Sequence, residues 1–313
     1  MLKTKSEIEP IDYTINAIAT KTVAKYLHHL RSITIIRQMI PLIIASQQHR
    51  GANLALLEGD ASFQDKVAIL QDEIDSRFAT LQLLNKELST PVPELEIRQL
   101  WQEWVTVREW SGGSVLENYN LHSHFVEQLM RLVWYIAEKT NHFSFALSKD
   151  QAGPKKVSQY DEALSGDALL VKFILSETPE LIELIARIRG LATHAAVSGV
   201  CDSEHNSLLD YLIKQLNQKK EKFRTLSVTL QSYSLHDVPA LIDLQIQDVR
   251  IVQLVQLIEN NILRKNKINI DGHTVFTMAT NIINSQTKVV GQGLDFIQNK
   301  VHHQLDGWHY STA

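Results

Sequence analysis

Cysteine is almost missing from this chain: Cys201 is the single one among 313 residues. One thiol closes no intramolecular disulfide and leaves no cysteine-based zinc site. Glycine and proline are scarce too, 12 and 7 residues, against many Leu, Ile, Gln and Glu. That balance argues against a turn-rich β architecture and predicts a mostly helical chain. No sign of charge dominates, and a net charge of −4 gives no global electrostatic basis for direct nucleic-acid binding. The opening Met1-Leu2-Lys3-Thr4-Lys5-Ser6-Glu7 lacks the apolar core of a signal peptide. The most apolar run, 33–45, is too short to span a bilayer and carries Arg37, Gln38 and Pro41. There is no Gly-rich phosphate loop, no Gly-x-Ser-x-Gly and no Cys/His nucleophile arrangement. A cytoplasmic, non-enzymatic protein with no cofactor and no membrane partner is expected.

What is present is helical periodicity in a chain long enough to bury a full core, with 44% hydrophobic residues. The pattern predicts one long helix over 12–57, or two meeting near Pro41, where proline interrupts the hydrogen-bond ladder. Gly59-Asp60-Ala61-Ser62 reads as a stop and N-cap before a helix over 63–88. A helix over 94–109 follows Pro91-Val92-Pro93 and carries Trp101, Trp104 and Trp110, at a spacing suited to a core or a subunit interface. The fourth spans 122–139. The unpatterned stretch 141–165, with Gly153-Pro154-Lys155-Lys156, is the linker candidate. Helices over 167–176, 179–197, 206–231, 239–264 and 273–304 follow, the last with Gly291 and Gly293 as weak points and a frayed tail after Asp306. The expected organisation is all-α: a first four-helix unit at 1–145, a linker at 146–165, a second four-helix unit at 166–306 and a tail at 307–313. The two units are expected to be related four-helix bundles packed side by side.

Their relation is read from markers in the same order. Pro41 precedes Arg50-Gly51 by nearly the interval at which Pro179 precedes Arg189-Gly190. Arg77-Phe78-Ala79-Thr80-Leu81 resembles Lys222-Phe223-Arg224-Thr225-Leu226, Val92-Pro93-Glu94-Leu95 matches Val238-Pro239-Ala240-Leu241, and His122 is faintly echoed by His273. Within this repeat one anomaly stands out. Ile36, Ile40, Ile43, Gln47, Arg50, Leu54 and Leu57 share a helical face, so Arg50 lies on an apolar stripe. A guanidinium stays charged at ordinary pH and needs an anion or several acceptors when it faces a core. A structural ion pair with Asp or Glu from a facing helix, or an arginine reaching the surface, explains it blandly. The echo at Arg189, flanked by Ile182, Ile185 and Ile188, tilts the balance. Gly51 and Gly190 each cost a helix roughly 1 kcal/mol against Ala, which points to close approach of a neighbouring helix. Two facing cations then favour an anion held between the units.

Gln47-Gln48-His49-Arg50-Gly51 with Leu54 and Leu57, then Gly59-Asp60 and Phe63, resembles the signature of the NIT (nitrate- and nitrite-sensing) domain family. The resemblance spans about 24–304, and Arg189-Gly190-Leu191-Ala192 is similar to it in the second half. It implies a pair of four-helix bundles with nitrate or nitrite held between them, Arg50 and Arg250 as principal ligand cations and Arg189 in support. Arg250 carries little motif, and Asp248 equally suits Arg250 or a nearby lysine as a structural partner. In nitrate-responsive transcription antiterminators the sensor is followed by a small RNA-binding (ANTAR) module. The sequence ends at Ala313 without one, so the expected reader of the ligand state is a separate effector protein or the rest of a longer chain. Homodimerisation through the long helices stays open. The alternative is a helical scaffold or interaction protein that keeps the fold without the ligand.

Nitrate is planar, singly charged and weakly hydrated, and two of its oxygens match the guanidinium fork. Gln47 offers its amide one turn before Arg50, and backbone near Gly51 or Gly190 approaches closely. Four heavy atoms at the best ligand efficiency give roughly −6 kcal/mol, a dissociation constant on the order of tens of micromolar. His28-His29, His122-x-His124 and His302-His303 lack the three- or four-residue steps of a helical metal site and read as surface or core histidines.

Overall fold

The computed structural model describes residues 11–88, 92–140, 166–234 and 236–311; the expected linker at 146–165 lies outside them. The described residues are helical throughout, joined by turns, with no strand among them. They form α1 (Ile11–Leu57), α2 (Gln64–Leu88), α3 (Glu94–Arg108), α4 (Val115–Lys139), α5 (Gly166–Lys172), α6 (Thr178–Ser198), α7 (Ser203–Ser234), α8 (Leu244–Asn261) and α9 (Gly272–Ser311). The all-α class read from composition and periodicity is what the chain adopts. Among the described residues no helix is long and apolar enough to cross a membrane.

Pro41 lies inside α1 without ending it, so the first segment is one helix of 47 residues. The reason is burial. Ile33, Ile35, Ile36, Met39, Leu42 and Ile43 are buried over about half of the helix circumference, while Pro41 lies on the half-buried face with Thr34, Arg37 and Gln38. The wide packed face holds the helix, each such side chain contributing about 1.5–3 kcal/mol, enough to offset one missing backbone bond. The apolar stripe is correspondingly less distinct than its spacing suggests, and its last member, Leu57, is exposed.

Two other boundaries differ from the periodicity. α4 begins at Val115, seven residues before the expected 122, because Ser114 and Glu117 form a capping box. The Ser114 hydroxyl accepts from Glu117 N at 3.2 Å, and the Glu117 carboxylate accepts from Ser114 N at 2.7 Å. Gly113, at φ 90°, makes the turn into it. Ahead of Pro179 the chain does not break. A π-helical turn, Phe173–Glu177, links α5 to α6, with Thr178 N–H donating to the Phe173 carbonyl. Widening the turn accommodates a proline that cannot donate. α9 also continues to Ser311, past the expected fraying point at Asp306.

Packing follows chain order. α1 packs on α2 and α4, and α3 packs on the same two, closing a ring; α6 and α8 each pack on α7 and α9, closing another. α1 also packs against α6 and α9, and its Arg37 pairs with Asp295 of α9 at 2.5 Å. Gly293, beside that aspartate, is no weak point. A Cβ there would lie 2.7 Å from Ile174 Cγ2, so glycine lets α9 close onto the π turn. Within the first ring the Trp104 indole donates to Asp75 Oδ1 at 2.6 Å and Arg108 reaches Oδ2 at 2.7 Å, which ties α3 to α2.

Candidate functional site

The repeated Arg-Gly pairs meet where α1 crosses α6. A Cβ on Gly190 would sit 3.8 Å from Gly51 Cα, and one on Gly51 would sit 3.4 Å from Arg189 Nε and 3.1 Å from Phe276 Cε2. The two glycines therefore bring the helix backbones together at the level of both arginines, as the duplicated motif implies. Arg50 and Arg189 are both fully buried.

Arg50 is already answered from inside the chain. Its fork meets Glu183 of α6 in a bidentate pair, Nη1 to Oε1 at 2.7 Å and Nη2 to Oε2 at 3.1 Å. Nη1 also donates to Ser123 Oγ at 3.0 Å, and the guanidinium lies 5.6 Å from the Tyr119 ring centroid. The same carboxylate accepts from Gln47 Nε2 at 2.9 Å and from Arg187 Nε at 2.8 Å. Each Glu183 oxygen thus receives two donors, all from charged or amide nitrogens. Burial alone would raise the Glu183 pKa, but Arg50 and then Arg187 outweigh it and hold the carboxyl below its usual range. Arg187, half buried, also contacts Glu127 of α4. Burial opposes its charge, and Glu183 overcomes that and raises its pKa.

Arg189 is in a different position. Nη1 donates to Thr280 Oγ1 at 2.9 Å and Nη2 to the Gln47 carbonyl at 2.6 Å, while Nε, fully buried, has no hydrogen-bond partner. Among the described residues no carboxylate pairs with it. Its charge lies 4.8 Å from the Phe276 ring centroid, a ring that Lys66 Nζ also approaches, at 4.4 Å. Burial first, and the Arg50 charge second, pull the Arg189 pKa down to about 9. Burial and the Arg189 charge likewise lower that of Lys66. At the helix crossing two fully buried guanidiniums therefore lie beside one carboxylate, which pairs with Arg50.

Beneath Arg50 runs a neutral chain. His49 Nδ1 and His122 Nε2 are 2.8 Å apart, and His122 Nδ1 is 2.9 Å from the Asn118 carbonyl. The consistent assignment has His122 donating to Asn118 and accepting from His49. Burial lowers the His49 pKa to about 4, and burial followed by His49 lowers that of His122. His122 is a core histidine and His124 an exposed one. Among the described residues no group of side chains suits a metal ion.

The structure thus gathers Arg50, Arg189, Gln47, Gly51 and Gly190 at one point. It does not bring Arg250 to them. That residue is exposed on α8, whose packing partners are α7 and α9, and of the two partners expected for Asp248 it is the nearby lysine, Lys220, that lies 3.7 Å from it. Glu183 and Arg187 escaped the sequence reading. The signal for Glu183 was the one used for Arg50, a charge inside an apolar run, here Leu181-Ile182-Glu183-Leu184-Ile185. Comparison of the chain with protein-family models, curated proteins and solved structures finds no match.

Proposed function

We propose that this protein is a non-enzymatic sensor of a small planar anion, nitrate or nitrite, bound between α1 and α6 at Arg50 and Arg189. The observation that carries the reading is the charge balance at the helix crossing. Arg50 and Arg189 are fully buried, and Glu183 is the carboxylate paired there, so one buried positive charge lacks a counter-ion. An uncompensated buried cation is costly, and an anion entering beside it removes that cost. The resemblance of Gln47-Gln48-His49-Arg50-Gly51 to the NIT signature supplies the name of the anion. Anion binding would ease repulsion between the two guanidiniums and tighten α1 against α6. The change in helix arrangement would be the signal passed to a separate effector, limited by the difference in affinity between the two arrangements.

Calorimetric titration with nitrate, nitrite, chloride and sulfate tests this. Saturable heat with nitrate or nitrite, lost in Arg189→Gln and kept in Arg98→Ala, is the expected result. A folded protein giving neither heat nor thermal shift with the first two anions overturns it. That outcome would favour the second reading, a helical scaffold, for which the Arg50–Glu183 pair is the supporting observation.

A further inference from the structure

Glu183 does more than neutralise Arg50. Its carboxylate is planar, takes the guanidinium fork through both oxygens, and is completed by Gln47 and Arg187, two donors to each oxygen. Four donors in that arrangement match the two oxygens of a Y-shaped anion, here one carried on a side chain. On its other side Glu183 lines a surface cleft of about 520 Å³ between α4, α6 and α7, together with Arg187, Glu127, Lys219 and Lys222. The side chain is 8% exposed and Arg50 not at all, so the glutamate stands between the cleft and the buried fork.

The geometry points to Glu183 as an internal ligand that occupies the planar-anion site of Arg50 and is mutually exclusive with a free anion there. An entering anion takes the fork and the Gln47 amide. The displaced carboxylate turns towards the cleft, where it keeps Arg187 and comes to the side lined by Lys219 and Lys222, both paired with Glu177. At the fork one monovalent anion replaces another, and because the displaced carboxylate stays on Arg187, the crossing gains the negative charge that Arg189 lacks. The shell then selects by shape. Nitrate, nitrite and formate present two coplanar oxygens with nearly the bite of a carboxylate. Chloride offers no second acceptor, and sulfate brings a tetrahedron and a second charge. Because Glu183 is attached to α6 and Arg50 to α1, exchange also swaps a covalently anchored link between the helices for a diffusible one. The inference rests on the anion-sensor reading for the identity of the ligand, and on the carboxylate's own contacts for the site.

The test is calorimetric titration of nitrate, formate and chloride into wild type, Glu183→Gln and Glu183→Asp, with circular dichroism to verify folding. Removing the competing charge, Glu183→Gln should bind nitrate and formate about tenfold to a hundredfold more tightly than wild type, with chloride little changed. Glu183→Asp, which keeps the charge on a shorter arm, should fall between them and serves should the amide variant fail to fold. Wild type that binds nitrate with an affinity unaltered in the folded variants overturns the inference and leaves the sensor reading standing. Wild type that binds nothing, beside variants that bind nitrate and formate, upholds Glu183 as tenant of the site and sinks the sensor reading. No binding by any folded form removes both.

Discussion

Gly51 of α1 and Gly190 of α6 face one another across the helix crossing, with a Cβ on Gly190 reaching within 3.8 Å of Gly51 Cα. Their substitution by alanine should not be equivalent. At Gly190 the nearest atom is the flexible end of Leu54, 3.3 Å away, whereas at Gly51 it is the Phe276 ring at 3.1 Å with Arg189 Nε at 3.4 Å behind it. Alanine regains about 1 kcal/mol of helix propensity, while overpacking costs about 1–3 kcal/mol. Gly190→Ala should be close to neutral and Gly51→Ala should lose about 1–2 kcal/mol, measured by urea denaturation.

The Arg50–Glu183 pair should weigh far more than a surface pair. Arg50→Ala leaves the Glu183 carboxylate 8% exposed and short of two of its donors, a loss of about 3–5 kcal/mol for a broken buried pair. Arg98, 62% exposed in its pair with Glu94, should change stability by less than about 0.5 kcal/mol on Arg98→Ala. Denaturation midpoints of the two variants compare them directly.

Acid should destabilise the fold in two stages of the same sign. His49 is neutral in the core with its pKa lowered from 6.5 to about 4, so the unfolded chain takes up a proton that the folded one refuses. Its contribution is complete above about pH 6.5 and lost as pH falls towards 4, at up to about 1.4 kcal/mol per pH unit. Glu183, also lowered, contributes fully above the ordinary carboxylate value and loses that contribution as pH falls through its folded value. Unfolding midpoints between pH 7 and 4.5 should decline, and His49→Gln should flatten the slope above pH 5.

Gly293→Ala should be costly for a local reason. The added methyl would lie 2.7 Å from Ile174 Cγ2 and 2.9 Å from its Cδ1, a clash worth about 1–3 kcal/mol. Ile174→Ala removes both atoms, so the double variant should be less destabilised than the sum of the single ones. A double-mutant cycle by denaturation reads that coupling.

Helix class and most helix positions were legible because apolar spacing and cap residues act locally. Where the reading slipped, something non-local decided. Pro41 fails to break α1 because the opposite face of the helix, with Ile36, Met39 and Ile43, is packed by other helices, and Pro179 is met by a π turn that no periodicity announces. The early start of α4 was readable in Ser114 and Glu117, a box of residues masked by the glycines before it. At the crossing, Arg50, Arg189 and the two glycines stood out because each violates a helix rule on its own. The anion that completes Arg50 did not, since choosing Glu183 over every other carboxylate requires knowing which helix faces α1. Arg250 shows the reverse case: a residue assigned by resemblance alone, with no local anomaly to mark it, lies exposed on α8.

The Arg37–Asp295 pair joins side chains 258 positions apart, near opposite ends of the chain. A ribosome adding residues at about 5–20 per second releases α1 long before α9 exists. Until α9 emerges, the face of α1 that ends against α6 and α9 has no permanent cover. Contacts of such separation slow the search for the native state. α1 is therefore made well before its packing is complete, and its isoleucines stay uncovered for that interval, open to aggregation or chaperone capture.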